Sequence, residues 1–172
     1  IPYLPASIKV DEEVVTTRKV GHFEKKKRNT FQKQFQKAKI AEQKLNQTRD
    51  AIATRTTAGQ TSSVGYKNER TILDKQLTLI QAQEDADLAA VDVLIRQQKD
   101  DVAEKSADPA SSVEALTAKV KWAAQDKRYE AYHQLALSME IGSEARINAM
   151  KKAEDEKVQA DVLKRKYKVA CM

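Results

Sequence analysis

The stretch "TTAGQTSSVGYK", Thr56 to Lys67, decides how the chain is organised, because it holds two of only four glycines and separates two long segments of helical character. Two readings compete for it: a loop that grips a phosphate, or the bend of a helical hairpin. A phosphate-binding loop needs glycine, four residues, then Gly-Lys-Ser/Thr, so that backbone N–H groups close around the phosphate while lysine and hydroxyl reach it and its metal. Here five residues separate Gly59 from Gly65, Tyr66 stands before Lys67, and Asn68 follows where a hydroxyl is required. The preceding segment has helical periodicity, whereas that motif follows a buried strand. The stretch therefore reads as a bend, with Thr61, Ser62 or Ser63 capping the outgoing helix.

Before the bend, Phe31, Ala38, Leu45 and Ile52 recur every seven residues with Phe35 beside the first, a narrow apolar stripe interrupted at its seam by Glu42 and Arg49. After it, Leu73, Leu77, Ile80, Leu88, Val91, Ile95 and Val102 keep helical spacing. The two segments also carry opposite charge. Residues 18–58 hold 12 Lys and Arg against 3 Asp and Glu, a balance of +9, and residues 59–109 hold 6 against 10, a balance of −4. An antiparallel pairing brings these signs together, which selects orientation more than it adds stability.

A third start signal lies in "SADPASSVEAL", where Asp108 can cap, Pro109 suits the first helical position, and Ser111 with Glu114 forms a capping box. Its stripe runs through Val113, Leu116, Val120, Ala124, Ala131, Leu135 and Met139 to a break at Gly142–Ser143. Ile147, Met150, Ala153, Ala160, Leu163 and Tyr167 continue it beyond. The expected helices cover 20–55, 66–106, 109–141 and 143–169. Together they make an all-α, elongated bundle of three to four long helices with a coiled-coil-like antiparallel hairpin.

Composition agrees: 172 residues with 33% charged, 5% aromatic, 4 Gly and 3 Pro suit long helices with few connections. Residues 1–19 read as an extended arm, because Pro2 and Pro5 disfavour helix before them, and residues 20–172 as a single domain. No run approaches the roughly 20 apolar residues of a membrane-spanning helix. The one cysteine, Cys171, cannot form a disulfide within the chain, which suits an intracellular setting: cytoplasm, or an organelle interior after loss of a targeting segment.

Catalytic chemistry finds no constellation. His22 and His133 have no partner histidine or cysteine at ligand spacing, the acidic runs Gln83–Asp87 and Glu154–Glu156 lack a calcium loop's glycine, and Ser62 and Ser63 have no neighbouring base. The expectation is therefore no catalytic residue, no metal and no cofactor. The net charge of +6 is concentrated in "KKKR", Lys25, Lys26, Lys27 and Arg28, with Lys33, Lys37, Lys39 and Lys44 beyond. This face suits an acidic protein, or phosphates, though the aromatics needed for base stacking are already claimed by the stripe. "KRKYK", Lys164 to Lys168, fits the cation preference of a helix C-terminus.

The reading is a non-enzymatic structural or interaction subunit of a larger protein assembly, with partner contacts at Tyr3, Leu4 and Ile8 of the arm and Lys25 to Arg28. The alternative is a nucleic-acid-associated protein using the basic face of residues 25–44.

Overall fold

The computed structural model describes residues 22–55, 62–101 and 112–172, and these form four helices with no strand among them. They are α1 (His22–Arg55), α2 (Ser62–Asp101), α3 (Val113–Leu137) and α4 (Glu144–Ala170). At about 1.5 Å per residue, the 40 residues of α2 extend for about 60 Å. The helices pack on their neighbours in the chain: α1 on α2, α2 on α3 and α3 on α4.

The first pair is the antiparallel hairpin that the bend and the charge division anticipate. Phe31, near the start of α1, packs against Ala90 and Val93 late in α2, with Phe35 and Ala89 at the margin of the same cluster. The heptad stripe turns inward as expected: Phe31, Ala38 and Leu45 are buried, and Ile52 is half-buried. Seam residues Glu42 and Arg49 stay exposed, which lets a charged seam persist without a desolvation penalty.

α2 then runs antiparallel to α3. Its Leu73 and Ile80 join Ala124, Ala131, Leu135, Ala136 and Met139 in the main apolar cluster, which continues into α4 through Ala149. α4 returns antiparallel to α3, with Trp122 against Tyr167 at one end (ring centroids 5.7 Å) and Tyr132 against Lys152 nearer the other. Small residues govern this last interface: Ala149, Ala153 and Ala160 are the buried apolar positions of α4. Their short side chains let the two backbones approach closely.

The connection from α3 to α4 is fully described and tight. α3 stops at Leu137, where the Ser138 N–H returns to the Gln134 and Leu135 carbonyls. Gly142 then adopts φ +82°, the left-handed region that glycine enters without steric penalty. Ser143 caps α4 by accepting the Arg146 N–H at 3.2 Å, its own hydroxyl donating to the Glu140 carbonyl at 2.7 Å. The break expected at Gly142–Ser143 is thus present, four residues of expected helix, 138–141, being given over to the turn.

Other boundaries move. α2 begins at Ser62, so Ser63 and Gly65 lie in its first turn and not in the bend. A single glycine in a helix end is a minor penalty, about 1 kcal/mol, which the long apolar face that follows outweighs. α3 starts at Val113 with Ser112 as its cap, the hydroxyl accepting the Ala115 N–H at 3.1 Å. Asp108, Pro109 and Ser111 lie outside the described residues, as do Thr61 and Val102. Two stripe residues face outward instead of inward: Val113 is 44% exposed and Ile147 49%. For Ile147 the cause is phase, since Ala149, Ala153 and Ala160 set which side of α4 meets α3, and Ile147 lies across the helix from them.

Candidate partner-binding surfaces

The sequence places the partner contacts on the arm and at Lys25–Arg28. Tyr3, Leu4 and Ile8 lie outside the described residues, as do the side chains of Lys25 and Lys27. Lys26 is exposed on α1 and Arg28 is half-buried. The structure adds a regularity: Lys26, Lys33, Lys37 and Lys44 are all exposed, and their spacings of seven, four and seven put them on one line along α1. At about 1.5 Å per residue this row is about 27 Å long. Its neighbours Thr30 and Thr48 turn their hydroxyls back to the Lys26 and Lys44 carbonyls at 3.0 and 2.8 Å. Lys39 lies off the row, over the Phe35 ring at 4.6 Å.

A second surface belongs to α4. Ile147, Val158, Val162 and Val169 are all exposed, the last to 69%, and on a helix of 3.6 residues per turn they fall within an arc of about 60°. The buried Ala149, Ala153 and Ala160 occupy the opposite side. α4 therefore has two apolar faces, one spent on α3 and one open. Periodicity reasoning found the first and missed the second, because four apolar residues spaced eleven, four and seven apart among charges carry little hydrophobic contrast.

The open face runs into a groove of about 980 Å³ between the start of α3 and the end of α4. Val113, Ala118, Val162, Leu163, Val169 and Met172 give it an apolar lining. Lys121, Arg165 and Lys166 flank it, with Glu114 as the one acid among the residues that line it. Two members of the "KRKYK" cluster thus border a groove in addition to stabilising a helix end. Cys171 caps α4 as a free, half-buried thiol next to it.

Between these surfaces a polar layer crosses three helices. The Arg128 guanidinium on α3 pairs with the Glu84 carboxylate of α2 at 2.9 Å and donates to Gln81 Oε1 at 3.0 Å. It also donates to Gln125 Oε1 at 3.3 Å. Gln125 in turn donates its Nε2 to the Glu156 carboxylate and main-chain carbonyl of α4. Lys152 closes the chain on Glu156 at 3.1 Å, a bond that raises the lysine pKa. Near this layer Asp87 is buried on α2, accepting from Gln83 Nε2 at 3.0 Å. Burial, the largest influence, raises its pKa to about 6, against the lowering influence of Gln83 and Lys127 and with a small further push from Glu84.

The groups of the layer are engaged in linking helices, and no group of three His, Cys, Asp or Glu side chains capable of holding a metal occurs among the described residues. His133 stacks on Tyr129 at 5.6 Å. No described helix is long and apolar enough to cross a membrane. No protein-family model, curated protein or solved structure matches this chain.

Proposed function

We propose that the chain is a non-enzymatic structural or interaction subunit of a larger protein assembly, which it braces through its long amphipathic helices. The observation that carries this reading is the second apolar row of α4, where Ile147, Val158, Val162 and Val169 stay exposed within one narrow arc that α3 does not cover. Scattered apolar residues are ordinary on protein surfaces; a row in register with the helix, opposite a face that is already packed, is the pattern of a helix with partners on two sides. Covering such a row removes apolar area from water at about 25 cal/mol per Å².

Native mass measurement of the chain isolated gently from its source tests the reading. The expected result is a species heavier than one chain that contains other polypeptides, and whose loss lowers the melting temperature of the chain left behind. A lone monomer that melts sharply at high temperature would overturn it.

The lysine row of α1 favours a second reading, a nucleic-acid-associated protein, since Lys26, Lys33, Lys37 and Lys44 make a line of charge without an acid in it. The buried position of Phe31 counts against it, because that ring is committed to α2 and cannot stack on a base.

A further inference from the structure

We infer that the groove between the start of α3 and the end of α4 is a docking site for an acidic amphipathic helix of a partner protein. The inference rests on the assembly reading and names the chemistry that the partner brings.

The shape of the site comes first. Two antiparallel helices leave a furrow along their line of contact, and a third helix lies in that furrow when it offers side chains three and four residues apart. Here the apolar lining comes from Val113 and Ala118 on α3 and from Val162, Leu163, Val169 and Met172 at the end of α4. Val162 and Val169 are two turns apart on the exposed side of α4 and belong to the same row as Ile147 and Val158. Methionine at one end and valines along the floor favour an apolar helix face over a rigid polar ligand.

Charge then selects the occupant. Lys121, Arg165 and Lys166 are exposed beside the floor and are opposed by Glu114 alone among the lining residues. A helix with carboxylates flanking its apolar face meets these cations at the rim, where complementary charge sets orientation and partner choice. A second copy of this chain is the poorer occupant, since a two-fold contact through the groove sets the same three cations against themselves. A nucleic acid would leave the apolar floor facing phosphate.

The test uses the full-length protein and two helical peptides of about four turns, each with leucines spaced three and four apart and alanine as filler. In one the flanking positions are glutamate; in the other they are lysine. Binding is followed by fluorescence anisotropy of the labelled peptide. The glutamate peptide is expected to bind at least about tenfold more tightly at low salt, a margin set by rim charge. Replacing Lys121, Arg165 and Lys166 together by Glu should invert the preference. The double variant V162S/V169S, which keeps the rim and alters two exposed positions, should abolish tight binding while the helical circular dichroism is unchanged.

Equal affinity for the two peptides, no binding by either, or binding that survives V162S/V169S overturns the inference. So does tighter competition for the groove by a second copy, by a peptide of residues 1–20 or by anionic phospholipid vesicles. The two proposals fail separately. An assembly that forms unchanged with the triple charge-reversed variant overturns the groove and leaves the assembly reading standing; charge-inverting peptide binding by a chain that forms no assembly does the reverse.

Discussion

Asp87 shows how a single side chain ties the bundle to pH. It is 7% exposed on α2, and its folded pKa of about 6 stands above the ordinary 3.8 because burial disfavours the ionised form. An acid whose folded pKa is raised binds its proton more tightly in the native state. The stability that this contributes is fully present below about 3.8 and is lost as pH rises through about 6. At about 1.4 kcal/mol per pH unit, the loss is on the order of 3 kcal/mol. The substitution D87N keeps an oxygen for the Gln83 amide and removes the charge. It should raise the urea midpoint at pH 7 by the equivalent of about 1–3 kcal/mol and flatten the profile between pH 4 and pH 6. Profiles of wild type and variant that stay parallel across that interval would show that Asp87 does not govern it. Nothing in the sequence marked this residue: "QEDAD" reads as a solvated acidic face, and only the phase of α2 against α3 turns its last aspartate inward.

At the level of elements, the helices owe their limits to caps and their sides to apolar phase, and both give measurable consequences. Gly142 sits at φ +82° with no atom within 4 Å of the position a Cβ would take. Gly142→Ala therefore meets no steric obstacle and should lose only the backbone penalty of the left-handed region, about 1–2 kcal/mol in chemical denaturation. Leu45→Ala and Leu135→Ala remove side chains that are 5% and 3% exposed, and each should lower stability by about 2–5 kcal/mol in the same measurement. A smaller effect at the leucines than at the glycine would show that these helices are held by their turns and not by their faces.

Much of this level was legible in the residues. Four helices, the antiparallel hairpin of the first two, the heptad Phe31–Ala38–Leu45 and the stop at Gly142 all follow from spacing and from glycine and serine chemistry. What was hidden is what small residues do. Ala86, Ala90, Ala123 and Ala136 are buried, yet alanine is equally at home on a helix surface, so spacing reveals only the alanines that fall in line with larger apolar residues, such as Ala124 and Ala131. The open face of α4 escaped for the complementary reason: its valines are separated by charged residues, and only the packed alanines opposite reveal that the row is left over. The polar layer through Arg128, Gln125 and Glu156 joins residues up to 47 positions apart, and its links between helices have no local signature.

For the whole molecule, the lysine row and the open apolar row belong to different helices. The lysine row lies on α1 and the open apolar row on α4, which contact α2 and α3 respectively. If the lysine row grips phosphates, affinity for duplex DNA should fall steeply between low and moderate salt, and replacing Lys26, Lys33, Lys37 and Lys44 by Gln should reduce the slope of log affinity against log salt by about 3–4. The assembly reading expects little binding at physiological salt by electrophoretic mobility shift. Tight, salt-sensitive binding there would place the nucleic-acid reading first.

The order in which the helices rest on one another also bears on how the molecule is made. Because α1 meets α2, α2 meets α3 and α3 meets α4, with no long excursion of chain between partners, each contact closes a short loop at small entropic expense. During synthesis the α1–α2 hairpin can therefore form as soon as Asp101 has left the ribosome, before a residue of α3 has emerged. α4 follows the other three described helices, so the face it leaves open is made only after the surfaces beneath it are in place.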